Sequence, residues 1–134
     1  MNVYKNTIAD ENMCEKVNIS EEEHQNFVKY GDILFTQSSE TMEEVGYSSV
    51  WLSSKTPYLN SFCFGFRLND VSVVNPKFMG YYLRSNVMRK AIMKESQGIT
   101  RINLSSSRLG NVTLRIPSIT VQEKIAAFLS LVDA

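Results

Sequence analysis

The side chains that most often carry chemistry are few in this sequence and poorly placed for it. A single histidine, His24, stands directly behind Glu21, Glu22 and Glu23. Any metal site needing two imidazoles is therefore excluded, and a Ser-His-Asp site has little support. His24 is expected to be a solvated residue near a helix N-terminus. Cys14 and Cys63 share no C-x-x-C spacing. Cys63 lies inside Phe62-Cys63-Phe64, where a buried, inert thiol is the expected case. Cys14 sits in a polar stretch with no neighbour that would activate a thiolate. Metal-dependent nucleases of the common kind place an acid two residues before a lysine to hold the metal and activate water. None of the eight lysines has Asp or Glu at that position.

Loops that hold phosphates or cofactors are missing as well. No two of the six glycines are separated by one residue, which excludes a G-x-G loop and a P-loop. Asn75-Pro76-Lys77-Phe78 comes near the Asn-Pro-Pro-aromatic motif with which amino-methyltransferases hold a flipped base. Lys77 replaces its second proline and no glycine-rich cofactor loop accompanies it, so the stretch reads as a helix cap. The chain is expected to be non-catalytic, with no cofactor and no metal.

Charge is more informative. The net charge is zero, but residues 1–60 hold 4 basic against 10 acidic side chains and residues 61–134 hold 10 basic against 4 acidic. The excess is densest at Arg84, Arg89, Lys90, Lys94, Arg101, Arg108 and Arg115, opposed only by Glu95. A basic half favours a polyanion partner, because it lowers the free energy of approaching phosphates. The competing reading is a set of solvated faces on amphipathic elements.

These residues need a scaffold, and 134 residues with 43% hydrophobic content suit one globular domain. No apolar run approaches the roughly 20 residues of a membrane helix, and the polar N-terminus has no secretory segment. A cytoplasmic location is the expectation, with no membrane partner. Ser20-Glu21-Glu22-Glu23 forms a capping box for a short helix stopped at Tyr30-Gly31-Asp32. Ile33 to Gln37 reads as a strand, Ser38 to Thr41 as a polar loop and Tyr47 to Leu52 as a second strand. In residues 61–68, Phe62, Phe64, Phe66 and Leu68 alternate with Ser61, Cys63, Gly65 and Arg67, the period that puts one face on a core. Phe62, Phe64 and Phe66 are expected to face inward, and Phe64→Ala to cost roughly 3–5 kcal/mol.

Asn75-Pro76 opens a helix carrying Phe78, Tyr81 and Tyr82. A second covers Asn86 to Glu95 and buries either Val87, Ala91 and Ile92 or Met88 and Ile92. Gln97 to Asn103 is a polar, basic loop or short strand. Ser105-Ser106-Ser107 caps a single turn through Leu109. Val112, Leu114 and Ile116 alternate as a strand ended by Pro117. Thr120-Val121-Gln122-Glu123 is a second capping box, and Val121, Ile125, Phe128 and Val132 behind it are spaced as the start of a heptad seam. The expected fold is α/β (α+β), a small curved mixed sheet with flanking helices and a C-terminal helix that begins a coiled coil.

Two stretches together resemble the specificity (S) subunit of type I restriction-modification enzymes. Gly31-Asp32-Ile33-Leu34-Phe35-Thr36 is similar to the Gly-Asp-hydrophobic-Leu-hydrophobic segment of that family's target recognition domain. Gly98-Ile99-Thr100-Arg101-Ile102-Asn103-Leu104, then Ile116-Pro117, Gln122, Ile125-Ala126, Leu129 and Asp133, is similar to the approach to its conserved spacer helix. Asn60-Ser61-Phe62, Tyr81-Tyr82-Leu83 and Gln97 fall between them in the family's order. Gln37, Ser38, Ser39 and Glu40 stand where members often have a basic residue and Ser-Gly. The resemblance implies residues 1–117 as a partial target recognition domain and 118–134 as the start of the spacer helix. It also implies a shortened chain, a split gene or a recombining gene fragment.

By this resemblance the chain recognises double-stranded DNA and recruits methylation (M) and restriction (R) subunits without doing chemistry itself. Gln37 and Asn103 could each pair with adenine, Arg101 and Arg108 could contact guanine or phosphate, and Lys90, Lys94 and Arg84 suit backbone neutralisation. Ser38, Ser39, Thr41, Gln97 and Thr100 complete the expected DNA-facing set. Val121, Gln122, Ile125, Phe128, Leu129 and Val132 form the expected subunit interface, with weak self-association through this helix. The alternative is a truncated interaction or structural fragment without independent DNA binding. A small DNA-cleaving or DNA-methylating enzyme is disfavoured by the missing motifs.

Overall fold

Extended segments form where apolar residues alternate or cluster, and helices where a capping residue precedes a 3.6-residue period. The computed structural model describes residues 7–9, 27–59, 63–98 and 101–133. In chain order these hold β1 (Ile8–Ala9), β2 (Ile33–Thr36), β3 (Ser38–Ser39), β4 (Ser48–Trp51) and β5 (Cys63–Phe66). There follow α1 (Pro76–Tyr82), α2 (Asn86–Lys94), β6 (Ile102–Asn103), α3 (Ser106–Leu109) and α4 (Ile119–Asp133). The main sheet runs β1-β4-β2-β5, with β1 parallel to β4 and the other pairs antiparallel. β3 and β6 make a separate antiparallel ladder. This is a mixed α/β fold with flanking helices.

Both faces of the main sheet are covered, so β2 and β4 are buried throughout. On one face Ile33, Phe35 and Val50 pack with Phe78, Met79, Met88, Ile92, Leu104, Leu109 and Ala126 from the helices and the second ladder. On the other, Leu34, Trp51 and Cys63 pack with Ala9 and Val28. Helix α1 lies so close to β4 that a Cβ on Gly80 would stand 2.9 Å from Val50 Cγ1. Asn75 caps α1, its side chain accepting from the Phe78 N–H at 2.8 Å, and Pro76 occupies the first turn. In α2 the buried pair is Met88 and Ile92, and Val87 faces solvent.

The Gly-Asp pair before β2 does two jobs. Gly31 turns the chain at φ +88°, a conformation that favours glycine. The buried Asp32 accepts from the Lys29 N–H at 2.8 Å and holds Arg67 through two bonds of 2.8 Å, one to each carboxylate oxygen. The turn and edge strand β5 are thereby joined.

Three expectations need correction. Phe64 and Phe66 do share the Phe35 face of the sheet, but β5 is an edge strand. Phe64 is only half-buried and Phe66 is 38% exposed, whereas Cys63, on the opposite face, is buried. The cost of Phe64→Ala accordingly falls to about 1–2 kcal/mol. Residues 112–116 form no strand. Val112 and Ile116 pack against the helical side of the core, Leu114 stays exposed, and the Arg115 N–H donates to the Tyr82 hydroxyl at 3.1 Å. Finally, α4 starts at Ile119, so Thr120 sits inside its first turn and is not its cap. The Ser20–Glu23 capping box, His24, Cys14 and Phe62 lie outside the described residues.

Candidate functional site

Strand β2 carries the chain out of the core, and its continuation at Gln37 and β3 meets the segment after α2. Ser38 pairs with Asn103 and Ser39 with Ile102, and Asn103 in turn pairs with Gln97 on its other side. Reciprocal backbone bonds of 2.8 and 2.6 Å join Gln97 and Asn103, and the Leu104 N–H donates to the Gln37 carbonyl at 2.7 Å. Directly opposed residues of an antiparallel ladder point the same way. Ser38, Asn103 and Gln97 therefore form one row across the ladder. Arg101, two residues before Asn103, joins that face, its Nε donating to Ser38 Oγ at 3.3 Å. Ile102 and Leu104 point the other way into the core, which anchors the ladder.

Beside this row lies a cleft of ≈ 350 Å³ lined by Gln37, Phe64, Asn103, Leu104, Ser105 and Ser106. Its polar lining is made of carboxamides and hydroxyls, with one aromatic ring. Asn103 Nδ2 donates to the Arg101 carbonyl at 3.2 Å, which orients its carboxamide. Ser105 caps α3, accepting from the Arg108 N–H at 3.2 Å. Phe64, Ser105 and Ser106 were not among the expected site residues. The serine run reads locally as a helix cap, and only the fold brings it beside Gln37.

The remaining expected residues divide into exposed and committed groups. Lys90 and Lys94 are exposed on the face of α2 opposite Met88 and Ile92. Thr41 is exposed beyond β3, and Ser39 donates to Glu44 Oε2 at 3.2 Å. Arg84 turns inward, its Nε donating to the Ser48 carbonyl at 2.8 Å and its guanidinium lying 5.1 Å from the Tyr47 ring centroid. Arg108 Nε donates to the Glu95 carbonyl at 2.7 Å and ties α3 to the end of α2. Arg89, part of the basic excess, is buried over the same Tyr47 ring and donates to the carbonyls of Glu43 and Val45. Arg84, Arg89 and Arg108 thus serve the fold, and the basic face is narrower than the sequence suggests. Thr100 lies outside the described residues.

The expected helical seam also divides. Gln122 is 1% exposed and faces inward. Its Oε1 accepts from the Asn75 N–H at 2.8 Å, and its Nε2 donates to the carbonyls of Pro117 at 2.8 Å and Val73 at 3.2 Å. This explains why a glutamine follows the proline by five residues: it closes the first turn of α4 onto the loop before α1. Ile125 packs against the core and Leu129 is half-buried, while Val121, Phe128 and Val132 are exposed. Residues 122 and 126 lie four apart on the docked face, and this rotation carries Phe128 outward. Among the described residues no group of His, Cys, Asp and Glu could hold a metal ion, and no helix is long and apolar enough to cross a membrane.

The family described as Type I restriction modification DNA specificity domain matches residues 1–134. The chain belongs to that family. Its fold is similar to the crystal structure of the type I restriction-modification system S subunit from M. genitalium, with a TM-score of 0.58 and 23% sequence identity over 82% of this chain. The chain spans 27% of the length of that S subunit. No curated protein matches.

Proposed function

We propose that this chain recognises a double-stranded DNA sequence as a non-catalytic part of a type I specificity subunit, and directs M and R subunits to that site in the cytoplasm. Besides family membership, one observation supports the reading. The β3–β6 ladder brings Gln37 and Ser38 to one exposed edge with Gln97, Arg101 and Asn103, about sixty residues away. Side chains of this kind read base edges, while Lys90, Lys94 and Arg101 neutralise phosphates and set the register. Residues 1–117 act as part of a target recognition domain, and residues 118–134 begin the spacer helix. The exposed Val121, Phe128 and Val132 offer that helix a surface for partner subunits.

The test is duplex binding across a salt series. Wild type should lose affinity as salt rises, and Lys94→Glu with Arg101→Glu should weaken binding and reduce the slope by about one unit per contact removed. A slope unchanged by both substitutions would place the phosphate-facing surface elsewhere. Failure to bind any duplex, with M subunit still retained in a pull-down, would favour the interaction fragment over the DNA reader. Sequencing the sites methylated by the assembled complex would then identify the target.

A further inference from the structure

We infer that the cleft between Gln37 and Asn103 reads one A·T base pair, with the Asn103 carboxamide taking adenine and the Phe64 ring taking the methyl group of its thymine. The inference rests on the DNA-binding reading above and narrows it to one base pair.

The cleft lining is short of charge in an informative way. Guanine is read most often by the paired donors of an arginine or lysine, and cytosine by a carboxylate. Among the described residues neither kind of side chain lines this cleft, which offers Gln37, Phe64, Asn103, Leu104, Ser105 and Ser106. The nearest guanidinium of the ladder, Arg101, is drawn to Ser38. An adenine presents an acceptor at N7 beside a donor at N6, so its reader must present one donor and one acceptor side by side. The Asn103 carboxamide meets that requirement with its orientation already set. One Nδ2 hydrogen goes to the Arg101 carbonyl at 3.2 Å, which leaves the second hydrogen and Oδ1 without a partner among the described residues. The backbone of Asn103 is held on both sides, by Ser38 and by Gln97. A side chain pre-oriented in this way loses little freedom when it binds.

Phe64 supplies the other half of the pair. Its ring stacks on Phe35 with centroids 5.5 Å apart, and the half-buried remainder lines the cleft. An apolar surface beside an adenine reader suits the methyl group that distinguishes thymine from cytosine in the major groove. Gln37, whose carboxamide meets no described partner, also lines the cleft.

Selection of duplexes from a randomised pool with the full chain, followed by base-analogue substitution in the selected duplex, tests this. An invariant A·T pair is expected. Replacing its adenine with 7-deazaadenine should weaken binding roughly 5- to 150-fold. Replacing its thymine with uracil, which removes only the methyl group, should weaken it about fourfold. Asn103→Ala should abolish the adenine effect with the salt slope unchanged, and Asn103→Asp should shift the preferred base at that position toward cytosine. Phe64→Leu, chosen to keep the core filled, should reduce the uracil effect without touching the adenine effect. Sequence-selective binding in which no A·T position responds to Asn103 or Phe64 substitution would overturn the inference and leave the DNA-binding reading standing. Absence of binding to every duplex would overturn both.

Discussion

Gln122→Ala should be among the most destabilising single changes outside the apolar core. The wild-type side chain is fully buried and makes three hydrogen bonds, to the Asn75 N–H and to the carbonyls of Pro117 and Val73. Each such bond contributes about 1 kcal/mol net, and a buried partner left unpaired costs more. Removing two methylene-sized groups from a packed site adds about 0.8 kcal/mol apiece. Pro117 and Val73 are exposed, so water can reach their carbonyls and reduce the loss. The balance is about 3–4 kcal/mol, a large share of the roughly 5–15 kcal/mol that stabilises a domain. Urea unfolding followed by circular dichroism would measure it, with hydrogen exchange in α4 as a local readout. Gln122→Glu separates hydrogen bonding from volume. Its carboxylate would face two carbonyl acceptors, so its folded pKa should rise above the unfolded value. Its stability should then be greatest below about pH 4.3 and fall as pH rises beyond it. A loss below about 1 kcal/mol for Gln122→Ala, with α4 exchange unchanged, would refute the clamp.

Asp32→Ala should lower the melting temperature more than Arg67→Ala, because it removes the acceptor of the Lys29 N–H as well as the partner of Arg67; the reverse order would dissociate the turn from the strand edge. Burial pushes the Cys63 thiol up from its ordinary value of 9.0. The neutral thiol is favoured in the fold, so its contribution to stability is full below that pH and lost as pH rises past it; Cys63→Ala should flatten the alkaline limb of urea-unfolding curves. In a Cys14→Ser background, alkylation of Cys63 at pH 8 should be slow until urea unfolds the chain. Phe128 is 65% exposed, so Phe128→Glu should change stability by less than about 0.5 kcal/mol. In sedimentation it should abolish any weak self-association, and a tight dimer surviving the change would exclude this helix face as the contact.

Local rules were enough to locate most elements. Asn75-Pro76 marks the start of α1, Ser105 caps α3, and apolar clustering marks β2 and β4, because caps and periodicity act within a few residues and need no partner. The missing catalytic spacings were equally legible, since they depend on residue types alone. Periodicity assigns a face but not the depth of its burial. Phe66 alternates as a core residue should, yet it lies on an edge strand, and sheet order is settled by contacts between distant segments. For the same reason Val112 to Ile116 has the pattern of a strand without a neighbour to complete it.

Charge behaved similarly: the seven cations between Arg84 and Arg115 read alike in sequence, but Arg84, Arg89 and Arg108 are drawn to carbonyls that folding brings within reach, while Lys90 and Lys94 stay in solvent. The role of Gln122 was hidden because two of its three partners, Asn75 and Val73, are more than forty residues away. The meeting of Gln37 with Asn103 is a tertiary fact of the same kind. The sequence determined which segments could be strands, helices and polar loops, through interactions of short range. Only long-range pairing decided which polar side chains were consumed by the fold and which remained on its surface to bind a ligand.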